Sequence, residues 1–196
     1  MSIRRPDGCG AVMPLIKWVI CVNAAFVAVF AYISPTVAKA VGMHLSVTTI
    51  AGLGLAGTAL SMSQAPIARW VPAKYILYGG VTMGIPQGIL ILWFSSANIV
   101  AAVILLKLSW MVSNVISGNW SALQNEALAK VGRLSQLQTL LGSACSAAAL
   151  VGAGLVFLWP PSLHTSIIIA GVTELIGTPV SYVTAKKILE QIEETN

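Results

Sequence analysis

Lys107 and Glu174 are charged groups placed near the middle of two long apolar stretches, Ile99–Gly118 and Leu163–Ala185. A charge at the centre of a membrane span costs several kcal/mol, so such residues mark a cavity, a partner charge or a functional site. Lys107 is the ninth residue of its stretch and Glu174 the twelfth of its own. Both therefore reach similar depth near the midplane if each stretch crosses fully, and an ion pair would lower the cost of burying either. Two competing readings are that Lys107 extends toward an interface on its alkyl stem, and that the two helices never meet. A lone membrane carboxylate is also how proton-coupled carriers store a proton, a role that a neighbouring ammonium would oppose.

The other polar groups at or within apolar stretches are Asn23, Gln87, Asn98 and Asn114. Asn114 follows Lys107 by seven residues, two helical turns, with Trp110 between them on the same side. Lys107–Trp110–Asn114 is a candidate cavity stripe, and equally a packing stripe, because polar side chains also bind membrane helices together. Asn23, Gln87 and Glu174 complete the candidate substrate or ion pathway. His44 and His164 lie far apart, without an H-E-x-x-H pattern, zinc spacing or a P-loop. Asp7 is the only aspartate, and no serine has a convincing His/Asp partner. The chain is expected not to be an enzyme, and to need neither metal nor cofactor. Cys9, Cys21 and Cys145 are isolated, which argues against a disulfide framework.

What must position these residues is a membrane bundle. The chain is 57% apolar and 9% charged, against about 25% charged in an ordinary soluble domain. Its mean hydropathy is +0.85. An all-α membrane protein with six transmembrane helices is expected, with spans at about 12–34, 46–68, 75–94, 99–118, 139–158 and 163–185. Residues 1–11 form a leading segment and 188–196 a polar tail read as a frayed helix end. The net charge of +5 does not imply nucleic acid, because the basic residues form no aromatic-interleaved patch. Arg4, Arg5, Lys17, Arg69, Lys74, Lys130, Arg133, Lys186 and Lys187 fall on one side of the bundle, and only Lys39 on the other. That asymmetry places both termini in the cytoplasm. Arg4-Arg5 before an apolar run, with Ala38-Lys39-Ala40 beyond it, also resembles a signal peptide. The run exceeds the usual core of about 7–15 residues, so it reads as the first span.

The connections Ser95–Asn98 and Trp159–Ser162 are short enough to make the spans they join antiparallel neighbours. Trp18, Trp93 and Trp159 near span ends fit an interfacial aromatic belt. Asn119–Gln138 is longer, with Gly132 at its centre and room for one or two short cytoplasmic helices. Gly52-x-Gly54-x-x-Gly57 spells a dinucleotide fingerprint, but no acid follows until Glu126, and the pattern lies inside a span rather than after a strand. It reads instead as close packing of span two. Gly80, Gly84 and Gly88, at i+4 spacing, have the same meaning in span three. The small residues of span five, Gly142 through Gly154, suit a helix buried within the bundle. Pro86 and Pro179 remove helix hydrogen bonds inside spans three and six and are expected to kink them.

The loop Ser63-Gln-Ala-Pro-Ile-Ala-Arg69-Trp-Val-Pro-Ala-Lys74 after span two, and the run Gly118-Asn-Trp-Ser-Ala-Leu-Gln-Asn-Glu126 after span four, are loosely similar to the corresponding segments of major facilitator superfamily transporters. Arg69 and Lys74 match the basic part of that family's loop motif, while its acidic place is apolar here. The likeness covers roughly Pro14 to Leu189 and suits one six-helix half, more like the C-terminal half or a diverged member. It implies two inverted three-helix repeats and movement of a small solute or drug-like molecule, as in efflux, by alternating access across a bacterial inner membrane. It further implies a second half, either a copy of this chain or a separate one. Helices one, two, four and five would line the cavity, with three and six peripheral, which favours Lys107 and Asn114 over Glu174. The rival expectation is a non-transporting membrane protein, an assembly factor or a transporter remnant, whose polar residues only pack.

Overall fold

The computed structural model describes residues 9–63, 70–130 and 134–193, and the described residues form seven helices and no strand. They are α1 (Cys9–His44), α2 (Val47–Met62), α3 (Ala73–Thr82), α4 (Gly84–Ala97), α5 (Ile99–Lys130), α6 (Leu134–Leu158) and α7 (Leu163–Glu193). Within α1, α6 and α7, the segments Pro14–His44, Ser135–Leu158 and Leu163–Glu190 are long and apolar enough to cross a membrane. Val47–Leu60, Gly84–Ala97 and Ile99–Val112 are apolar but shorter. Leu55, Leu150, Phe157 and Ile176 stand exposed at 73%, 74%, 88% and 61%, an outer surface suited to acyl chains and far too apolar for water.

Local chemistry sets the helix starts. The Asn98 side-chain carbonyl accepts from the backbone N–H of Val100 and Ala101 at 3.1 Å each, capping α5. Ser46 caps α2 through Thr49 N–H at 3.1 Å, and Ser162 caps α7 through Thr165 N–H at 3.0 Å. Pro86 has no N–H to offer the Thr82 carbonyl, and the expected kink of the third apolar stretch is a break between α3 and α4 at Met83. Pro179, in contrast, lies inside an unbroken α7.

Several helices run past the expected span limits. α1 runs through Pro35 to His44 instead of ending at Ser34. α5 continues to Lys130, so most of the expected long cytoplasmic connection is helix, and Gly132 lies outside the described residues. The polar tail extends α7 to Glu193.

The core joins α1, α4, α5 and α7 through Ile33, Ile91, Val103, Leu106 and Ile167, all fully buried. α7 packs on four helices, α1, α3, α4 and α5, where the family likeness implied a peripheral sixth span. Glycine is the reason. A Cβ on Gly88 would lie 2.8 Å from the Gly171 carbonyl oxygen, and one on Gly171 would lie 2.7 Å from Leu92. Only bare backbone lets α4 and α7 come this close.

Other glycine expectations fail. Gly52 and Gly54 face open space, and of the fingerprint only Gly57 meets a neighbour, the Met111 side chain. Gly142 and Gly154 also face open space, and α6 lies largely exposed on α1, touching it closely where Gly152 meets the Ala28 carbonyl. Nor does the short Trp159–Ser162 connection make α6 and α7 packed neighbours. α1 enters between them and packs on both. Four residues containing Pro160-Pro161 can stretch to about 13 Å, more than the ~8–10 Å between packed helices. Tyr32 of α1 donates to the Trp159 carbonyl at 2.8 Å and Thr36 to the Pro161 carbonyl at 3.4 Å, holding that wedge in place.

Leucine at Gly88 should therefore separate α4 from α7 and lower stability by about 1–3 kcal/mol. Leucine at Gly142 should change it by less than about 0.5 kcal/mol. Reversible unfolding in mixed micelles, followed by circular dichroism, measures both.

Candidate functional site

Gln87 precedes Asn98 by eleven residues and Ser109 follows it by eleven, so the α4–α5 hairpin sets the two level. Glu174 lies eleven residues into α7 from Leu163. At 1.5 Å per residue each lies about 15–17 Å below the same ends of the helices, half of a ~30 Å hydrocarbon core. The three meet. The Ser109 hydroxyl lies 3.0 Å from Gln87 Oε1 and 3.2 Å from Glu174 Oε1. Ser109 is buried at 3% exposure, and Gln87 and Glu174 are half-buried.

Gly84, one turn before Gln87, faces the Glu174 backbone carbonyl and the Thr178 hydroxyl. Thr178 donates back to the Glu174 carbonyl at 2.8 Å. The glycine contact that closes α4 on α7 thus also fixes the height at which Glu174 meets Ser109. One hydroxyl proton faces two acceptors. A proton on Glu174 would let the carboxyl donate to Ser109 and leave the hydroxyl for Gln87, satisfying all three groups.

Lys107 lies elsewhere. Two residues before Ser109, it points about 200° around α5 from it, into a cavity of about 480 Å³ between α1, α2 and α5. Val41, Leu53, Gly57, Thr58 and Met111 line that cavity with it. Lys107 makes no ion pair with Glu174, and the only pair among the described residues is Lys186–Glu190 at 3.8 Å. Of the readings left open for these two charges, the structure has them apart, on opposite faces of α5.

The expected stripe divides as well. The Lys107 ammonium lies 5.8 Å from the Trp110 ring centre. That ring packs edge-on against Phe30 at 5.8 Å and belongs to the core. Its buried indole N–H finds no acceptor among the described residues. Met111, not Trp110, accompanies Lys107 along the cavity wall. Asn114 lies within α5, its side chain outside the described residues. Asn23 spends its amide locally, donating to the Val19 carbonyl at 2.7 Å, and joins neither group. Of the loop motif, Arg69 lies outside the described residues, and exposed Lys74 stands 5.3 Å from the adjacent Tyr75 ring.

Ser109 is the residue that sequence reasoning missed. A serine in a span has too little character to stand out, yet its equal distance from Asn98 with Gln87 was a readable signal.

Changes at Ser109 and Glu174 should be non-additive. Ser109→Ala with Glu174→Gln should show a coupling of about 0.5–3 kcal/mol in unfolding free energy. Lys107→Ala with Glu174→Gln should add to within about 0.5 kcal/mol. A double-mutant cycle on the purified chain distinguishes the two pairs.

No protein-family model matches this chain, and neither a curated protein nor a solved structure matches it.

Proposed function

We propose that the chain is one six-helix half of a membrane carrier that moves a small solute or drug-like molecule by alternating access. Lys107 on the wall of the α1–α2–α5 cavity is the observation that carries this reading. A cavity of about 480 Å³ lies within the ~300–1,000 Å³ usual for small-molecule sites. A single ammonium among mostly apolar walls suits an organic molecule with an anionic group. In this reading α2, the broken α3–α4 pair and the first part of α5 supply three crossings beside α1, α6 and α7. A second half, a copy of this chain or a separate one, completes the pathway across a bacterial inner membrane.

The Gln87–Ser109–Glu174 cluster supports proton coupling, because adding one proton reorganises its hydrogen bonds without unpairing any of them. The major facilitator likeness rests only on the sequence of the segments Ser63–Lys74 and Gly118–Glu126, and the central place of α7 departs from it. The rival is a non-transporting membrane protein, in which the same polar groups hold helices together.

Cavity access from both sides of the membrane separates the two. With Cys9, Cys21 and Cys145 changed to serine, Thr58→Cys should react with a membrane-impermeant maleimide in both right-side-out and inside-out vesicles. Reaction from one side only, or from neither, in folded protein would refute alternating access. Lys107→Ala should leave insertion and the size-exclusion profile intact. A fall in folded yield would favour the packing role.

A further inference from the structure

A second concavity runs between α1 and α7. It holds about 340 Å³ and is almost wholly apolar. Its α1 wall is Trp18, Cys21, Ala25 and Val29, and its α7 wall is Ile176, Gly177 and Val180. The floor stays low because Ala25 is small and Gly177 has no side chain, so that a Cβ there would lie 2.9 Å from the Phe26 ring.

One end of this groove is basic. Lys17 precedes Cys21 and Ala25 on the same i, i+4 ridge of α1. Lys187 continues the α7 face through Val180 and Thr184, and its ammonium stands 4.8 Å over the Trp18 ring. Trp18 is anchored by donating its indole N–H to the Thr184 hydroxyl at 2.7 Å. Lys17 and Lys187 are exposed and make no ion pair among the described residues, while neighbouring Lys186 is engaged with Glu190. Glu193 is the remaining described acid at this end of α7.

The groove's length is also telling. Trp18 to Val29 is eleven residues, or about 16 Å of helix, close to half of a ~30 Å hydrocarbon core. The slot is one leaflet deep, with an indole at the interfacial level and two ammonium groups that make no ion pair among the described residues.

We propose that this groove is a binding site for an anionic phospholipid of the cytoplasmic leaflet, one acyl chain lying between α1 and α7 and the phosphate held by Lys17 and Lys187. The charge matches an acidic headgroup, and basic pockets between membrane helices on the cytoplasmic side bind such headgroups. A second copy of this chain fits worse, since it would have to bring an unpaired acid to the lysines. The site rests on the membrane-spanning character of α1 and α7 and on the positive-inside orientation, and it is independent of transport.

Native mass spectrometry of the purified chain, released from nanodiscs of equal phosphatidylglycerol and phosphatidylcholine, tests the assignment. Wild type should retain phosphatidylglycerol preferentially. Lys17→Ala/Lys187→Ala should lose that preference by roughly fivefold per lysine, whereas the charge-matched Lys74→Ala/Lys186→Ala should keep it. Ala25→Phe, which fills the groove without touching the lysines, should reduce retained lipid of both kinds while leaving the size-exclusion profile unchanged. An unchanged preference in the first double variant would overturn the proposal. So would equal losses in the two double variants, full lipid retention by folded Ala25→Phe, or a dimer that buries the groove.

Discussion

The contact between α4 and α7 is the constraint on which the candidate site depends. Gly84, Gly88 and Gly171 place backbone against backbone, and no larger residue permits that separation. Close approach in a bilayer is driven by packing and by polar contacts between helices rather than by expulsion of water. The glycine contact supplies the packing, and the Gln87–Ser109–Glu174 hydrogen bonds supply the polar contacts. Each favours the other: without the glycines the carboxylate would lie too far from Ser109, and without Ser109 it would lose its hydrogen bond to α5. The interruption at Met83 lies next to Gly84, and both α3 and α4 pack on α7.

The outer frame is held differently. α1 is a 36-residue helix, about 54 Å long, and it is tied at two levels about 21–27 Å apart. Trp18 bonds to Thr184 at one end of α7, and Tyr32 and Thr36 bond to the connection that precedes the other. An antiparallel pair with ties so far apart resists tilting more than sliding. α2 and α6 have no such ties to α7; α2 rests chiefly on α5, and α6 chiefly on α1.

Much of this was legible in the residues. Helical class, the break at Pro86 and the role of Gly84 and Gly88 follow from local rules: a missing N–H, a missing Cβ, a period of four. The equal distance of Gln87 and Ser109 from Asn98 was also readable, once the hairpin is granted. What could not be read was which helices meet. Lys107 and Glu174 look like partners because depth is encoded along the chain, whereas direction around a helix matters only after its neighbours are known. The same gap explains Gly142 and Gly154, whose composition suits burial although their side of α6 has no neighbour among the described residues. Helix ends also moved, since α5 carries its polar continuation to Lys130 without a break.

α5 carries two polar groups back to back, Lys107 toward the cavity and Ser109 toward Glu174. A rigid helix cannot rotate one side without rotating the other. In the proposed carrier, a solute that drew Lys107 toward α2 would turn Ser109 against the carboxylate on the far side. The helix is thus a shaft between a cavity on one side and a hydrogen-bonded cluster on the other.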